Sequence, residues 1–192
     1  KKDGYSNAVY NLTPNAHGST SRKKTWNELT YDITPEYEIT PDLNTYFRFA
    51  RGFRSGGFNT GLSSSLTQLA DVNPEYLNSY ELGLKSSLLG GDLVANANIF
   101  YYDYKDIQTN LLVATEGQGG GVTSILANGP KAEVKGAELE LDYLATENLR
   151  LRFAGAYLDS EYTDFVDKNP VTNVVNADNT GNSLVRSPKY TI

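Results

Sequence analysis

Glu138, Glu140 and Asp142 stand at alternate positions, a spacing that could serve acid–base chemistry or hold a calcium ion. In an extended strand that period puts all three carboxylates on one face. Arg150 and Arg152 follow at the same period. Carboxylates and guanidiniums on neighbouring strands neutralise one another, so a charged wall accounts for the five without catalysis. The single histidine, His17, would have to be the base of any Ser-His-Asp enzyme, and its stretch NAHGSTS shows it no partner. No HExxH, CxxC or nucleophile elbow is present. With no cysteine, the chain has neither a disulfide framework nor a thiolate metal site. Asp164, Asp167 and Asp178 offer hard oxygen ligands, but at no spacing of a known calcium loop. Asn176 to Gly181, NADNTG, reads as turn chemistry. The expectation is a protein that is not an enzyme and carries no metal or cofactor.

A second candidate is RSGGFN, from Arg54 to Asn59. Here Arg54, Phe58 and Asn59 sit where a strand gives way to a loop, and they are the candidate ligand contacts. The paired glycines also suit a turn with positive φ. This is no phosphate loop, because no lysine follows and no helical pattern opens.

The elements that must position these groups are strands. From Tyr76 to Leu88 the even positions are mainly apolar and the odd ones mainly polar, and from Leu93 to Tyr101 the odd positions become apolar. A four-residue loop, Leu89 to Asp92, pairs Leu88 with Leu93 and keeps the apolar sets on one face. Trp26 to Ile39 and Asp42 to Phe53 alternate likewise, and a loop at Thr40-Pro41-Asp42 would pair Ile39 with Leu43. Pro35 removes a ladder donor and predicts a bulge or break there. Ala137 to Ala145 and Leu149 to Tyr157 form a third hairpin, with Thr146-Glu147-Asn148 as its loop. That register sets Asp142 opposite Arg152.

These strands are longer than the usual five or six residues of soluble sheets. Their tight loops alternate with long connections at Arg54–Glu75, Thr109–Lys131 and Thr163–Pro188, all rich in Gly, Ser, Asn and Thr. Compact soluble domains rarely hold several such loops. Short turns on one side and long loops on the other are the pattern of a membrane β-barrel. The 192 residues carry a net charge of −6, which argues against nucleic acid as a partner. Mean hydropathy is −0.45, and no apolar run approaches the roughly 18 residues of a membrane helix. A barrel strand needs only about ten residues, half of them polar.

The expected fold is therefore all-β: an antiparallel up-and-down transmembrane barrel wall of about seven or eight strands, with short periplasmic turns and long extracellular loops. Its polar face would line the lumen with Arg48, Glu81, Lys85, Glu138, Glu140, Asp142, Arg150 and Arg152. Tyr101, Tyr102 and Tyr104, with Tyr157 and Tyr162, would form an aromatic girdle at the outer interface. Arg51 would reach the lipid headgroups.

Three segments carry a family resemblance: YFRFARGFRSGGFN (Tyr46–Asn59), NPEYLNSYELGLKSSLLGGDLVANANIFYYDYKDIQ (Asn73–Gln108) and KAEVKGAELELDYLATENLRLRFAGAYLDSEYTDF (Lys131–Phe165). In this order and spacing, "GFR.GGFN", "PE...YELG.K", "KG.E.E" and a later "PK" resemble the barrel of TonB-dependent receptors, over about Trp26 to Ile192. The resemblance implies an energised importer of ferric siderophores, haem, cobalamin or glycans in the outer membrane of a Gram-negative bacterium. Its implied partners are outer-membrane lipid, a small nutrient ligand and, through a plug domain, the TonB energy-coupling complex. The expectation is that residues 1–192 are an internal part of such a barrel, without the plug or the barrel termini. Two rivals share some features. A passive porin-like channel would use the same wall. A soluble glycan-binding β-sandwich would have to bury each apolar face on a second sheet.

Overall fold

The computed structural model describes residues 2–13, 16–59, 71–115, 121–168 and 175–192. Its strands in chain order are β1 (Lys2–Thr13), β2 (Ala16–Trp26), β3 (Tyr31–Ile33), β4 (Glu36–Thr40), β5 (Leu43–Arg54), β6 (Gly57–Phe58), β7 (Asp71–Val72) and β8 (Glu75–Leu88). They continue with β9 (Leu93–Lys105), β10 (Gln108–Thr115), β11 (Gly121–Asn128), β12 (Lys131–Thr146), β13 (Leu149–Asp164), β14 (Val166–Lys168), β15 (Val175–Asp178) and β16 (Tyr190–Thr191).

One antiparallel sheet organises the chain, in the order β16-β13-β12-β9-β8-β5-β3, with β4 also on β5. Strands β3 and β4 are one strand interrupted at Thr34-Pro35. Both pair with β5 in the same register, Tyr31 opposite Arg51 and Glu36 opposite Tyr46. Proline cannot donate to the ladder, yet the Pro35 carbonyl still accepts from the Phe47 amide at 3.1 Å. That is the break expected of Pro35.

Leu88 pairs with Leu93 and Asp142 with Arg152, as the alternation requires. The other two turns are tighter than expected. Thr40 rather than Ile39 pairs with Leu43, and Thr146 rather than Ala145 pairs with Leu149. Ile39 and Ala145 each fall at a register shift, so a bulge takes up one residue and leaves two in the turn. Beyond the bulge every side chain keeps its expected face. The Leu89–Gly91 turn passes through positive φ at Leu89, Gly90 and Gly91, a conformation that glycine tolerates freely.

At the other end of the sheet, the long connections fold into hairpins of their own. Strand β6 pairs with β7, β10 with β11, and β14 with β15. Residues 2–26 also form a hairpin, β1 on β2, which places His17 in a ladder opposite Asn11 rather than in a loop. The strand expected from Trp26 begins only at Tyr31.

The two faces of the main sheet differ in kind. One carries Phe47, Leu82, Ile99, Leu139, Leu151 and Phe153, all exposed, with Ile99 at 57% and Leu82 at 49%. Among the described residues, only Trp26, Val72, Ile125 and Ala132 form a buried apolar set. A water-soluble sheet hides its apolar face; a contiguous exposed one needs an apolar surrounding. Near the loop end this face carries a row of rings across four strands. Tyr31 lies 5.0 Å from Phe49, Phe49 4.8 Å from Tyr80, and Tyr80 6.2 Å from Tyr101. Tyr157 and Tyr190, 5.5 Å apart, add a pair at the β13–β16 edge. Such rings suit the boundary between hydrocarbon and headgroups.

Candidate functional site

The opposite, polar face is built in layers, because an antiparallel register carries one row of side chains across every strand. One layer holds Arg48 of β5, Glu81 of β8, Phe100 of β9 and Gly136 of β12. The next toward the short turns holds Tyr46, Gly83, Asn98 and Glu138. Below it come Asn44, Lys85, Asn96 and Glu140. Asp142 and Arg152 follow, and Arg150 lies opposite Leu144 nearest the turn. All eight residues expected on the lumen side thus share one face.

The charges on this face are mostly partnered. The Arg48 guanidinium donates to both Asp32 oxygens, at 2.6 Å from Nη2 and 3.1 Å from Nε. Tyr46 donates its hydroxyl to Glu81, and its ring lies across Gly83, where any side chain would collide with it. Lys85 Nζ sits 5.0 Å above the same ring, within reach of a cation–π attraction. Asn98 donates to Glu138 at 3.0 Å. At the short-turn end Asp142 accepts from Arg150 at 2.6 Å and from Arg152 at 3.1 Å. Tyr46, Lys85, Asn98, Glu138 and Glu140 border a shallow depression of about 190 Å³. The face can offer ionic and hydrogen-bonding groups to a polar body laid against it. Glu81, Glu138 and Asp142 are tied to a hydroxyl, an amide and two guanidiniums respectively.

The tyrosines of β9 divide between faces. Tyr101 joins the outer row of rings, but Tyr102 and Tyr104 point to the polar side, opposite Ser79 and Leu77. Phe100 stacks on Tyr102 at 4.8 Å. The expected single girdle at Tyr101, Tyr102 and Tyr104 is therefore corrected: period two sends the even members inward. Tyr162 likewise faces the polar side, opposite Ala132. Arg51 faces outward beside Asn78, with its guanidinium 4.8 Å from the Tyr76 ring.

At the loop end, Arg54 lies opposite Glu75, 3.8 Å away, with its side chain exposed. Glu75 is buried, at 5% exposure. It accepts from the Tyr104 hydroxyl at 2.9 Å and from the Gln108 amide at 2.6 Å. Phe58 packs on Trp26 with ring centroids 5.6 Å apart. Asn59 is buried and exchanges two hydrogen bonds with the Leu126 backbone. Of the three residues expected at a ligand, Arg54 presents its head group to solvent, while Phe58 and Asn59 engage neighbouring protein. Gln108, Asn73 and Asn128, which complete this network, were not singled out in the sequence. In the acidic loop Asp164 pairs with Lys131 at 3.2 Å and Asp178 accepts the Thr180 amide at 3.0 Å, and among the described residues no three such groups gather to hold a metal ion.

A family model described as TonB dependent receptor-like, beta-barrel, matches residues 3–192. The pesticin receptor of Yersinia enterocolitica is 29% identical over 132 residues, covering 69% of this chain and 18% of that protein. The metal-pseudopaline receptor CntO of Pseudomonas aeruginosa is 28% identical over 144 residues, covering 75% of this chain and 18% of that protein. The chain thus spans under a fifth of these relatives' length. Among solved structures, the ferric yersiniabactin uptake receptor FyuA of Yersinia pestis superposes with a TM-score of 0.62 at 23% identity, over 91% of this chain and 23% of that one. The siderophore receptor PiuA of Acinetobacter baumannii gives a TM-score of 0.62 at 21% identity, over 93% of this chain and 24% of that one. Both share the fold of this wall.

Proposed function

The chain belongs to the TonB-dependent receptor-like β-barrel family, and we propose that the protein takes up a scarce metal chelate of the siderophore class. It resides in the outer membrane of a Gram-negative bacterium, as this family does. The 192 residues supply barrel wall and external loops. Arg48, Glu81, Lys85, Glu138, Glu140, Asp142, Arg150 and Arg152 line the lumen, where they bind polar surface and water. Arg54, exposed at the loop rim, meets the anionic groups of the chelate, while Phe58 and Asn59 hold the loop that carries it. Energy reaches the barrel from the TonB complex through a plug, and the chelate passes without covalent change. The chelate class rests on the relative named for metal-pseudopaline.

The observation that supports this reading best is the two-faced sheet. Its apolar side is exposed along the strands, and its polar side holds charges through successive layers. A β-sandwich would bury that apolar side. The test uses the intact natural protein, purified from outer membranes. It is titrated with Fe(III) complexes of a catecholate, a hydroxamate and a carboxylate chelator. Binding of one complex over its iron-free chelator is the expected result, with Arg54→Ala weakening it by about tenfold. Failure to bind any complex, together with unchanged growth of a deletion strain on each as sole iron source, would reject the chelate class.

A further inference from the structure

Two asparagine side chains join separate excursions of the chain at the loop end. Asn59 follows β6. Its Nδ2 donates to the Leu126 carbonyl at 2.8 Å, and its Oδ1 accepts the Leu126 amide at 2.7 Å. Asn128 closes β11. Its Oδ1 accepts the Asn73 amide at 2.7 Å, and its Nδ2 donates to the Asn73 and Asp106 carbonyls, both at 2.8 Å. Each amide gives one bond to a backbone residue and takes one from it, which is how paired residues of an antiparallel ladder bond each other. Among the described residues, neither β6 nor β7 pairs with β10 or β11. The side chains therefore do the work of a missing ladder.

Gln108 ties the same parts to the barrel. Its Nε2 donates to the Ser55 and Asn73 carbonyls, each at 3.0 Å, and its own amide donates to buried Glu75. Ile107, next to it, donates to the Pro130 carbonyl at 2.9 Å and closes the root of the β10–β11 hairpin. The β6–β7 excursion is thus held from two sides, at Asn59 and at Asn73, by groups of one neighbouring hairpin.

We propose that Asn59 and Asn128 are positioning residues that clasp the β6–β7 and β10–β11 hairpins into one body at the loop rim. The backbone hydrogen bonds at Leu126 and at Asn73 then loosen together, not one by one. A ligand contact made near Arg54 is transmitted to the β10–β11 hairpin through these amides, a consequence that rests on the chelate-binding reading above. The clasp itself does not depend on that reading.

Amide hydrogen exchange on the intact protein in lipid bilayers tests it, with no ligand added. Asn128→Ala should speed exchange at Leu126, whose own partner Asn59 is untouched, and Asn59→Ala should speed it at Asn73, each by about tenfold. Replacing Asn59 and Leu126 by cysteines joined by a flexible bifunctional thiol reagent should restore the slow exchange at Asn73; this chain has no cysteine of its own. Variants that quicken only the amide directly deprived of its partner would show two independent hairpins and overturn the clasp. Addition of the Fe(III) chelates to the unsubstituted protein is read separately. No binding there rejects the ligand reading, while the exchange pattern still decides the clasp.

Discussion

Leu139 and Glu140 are neighbours on β12 that face opposite sides of the sheet, so exchanging each for arginine tests the face assignment directly. Leu139 stands opposite Ala97 and Gly155 on the apolar face and is 39% exposed. It lies four residues from Tyr143, near the short-turn end of that strand. At about 3.3 Å per residue and a tilt of about 40°, that is roughly 10 Å up an apolar band about 25 Å tall, close to its middle. Arginine there costs about 2–4 kcal/mol, roughly a 30- to 700-fold loss in the folding equilibrium. Glu140 stands opposite Asn96 and Ala154 on the polar face. Arginine there meets water and the neighbouring Glu138 and Asp142, and its cost should stay near the few tenths typical of exposed substitutions. The assay is urea unfolding of the intact protein in phospholipid vesicles, read by the loss of the fast-migrating unboiled band on a gel. Leu139→Arg should lower the midpoint and Glu140→Arg should barely move it. Equal loss from both, or the reverse order, would refute the two-faced wall.

Gly83→Ala should drive the Tyr46 ring off its seat and lose about 1–3 kcal/mol in the same assay, and adding Tyr46→Ala should recover part of that loss. Phe49 and Tyr80 stack at 4.8 Å, so a double-mutant cycle with alanine should return a coupling of about 0.5–1.5 kcal/mol. The backbone and hydroxyl of Thr180 donate to Asp178 and hold its carboxyl below the ordinary aspartate range. A lowered folded-state pKa stabilises above the ordinary value and is lost as pH falls through the lowered one. Protection of the Thr180 amide, measured against its intrinsic exchange rate at each pH, should therefore hold at neutral pH and fall only in acid below that range, a response that Asp178→Asn should abolish.

Much of the wall was legible because alternation is a local property. Leu88 against Leu93 and Asp142 against Arg152 follow from counting by two across a turn. The bulges at Ile39 and Ala145 were not legible. A register that absorbs one residue leaves every other side chain on its expected face, so the pattern carries no trace of it. Tyr102 and Tyr104 were misplaced because residue type was allowed to outweigh parity. The hairpins within the long connections were hidden by their composition, since Gly- and Asn-rich segments alternate weakly. The Asn59 and Asn128 clasps lay furthest out of reach. Asn59 and Leu126 are 67 positions apart, and nothing local to either names the other.

The unequal ends of the sheet bear on how the barrel gets into its membrane. At one end the connections are Pro41-Asp42, the four residues from Leu89 to Asp92, and Glu147-Asn148. These turns stay on the side of entry, so their carboxylates, Asp42, Asp92 and Glu147, need not cross the hydrocarbon. At the other end stand Arg54, Glu75, Asn73, Gln108 and Asn128, joined to one another and to their loops. A wall that enters from the side of its small turns must push this second set through the hydrocarbon, and each charge there opposes the passage by several kcal/mol. Spontaneous insertion is therefore slow in the direction that gives the correct orientation. The burden lies in the loops, so whatever lengthens or charges them also raises the barrier to assembly.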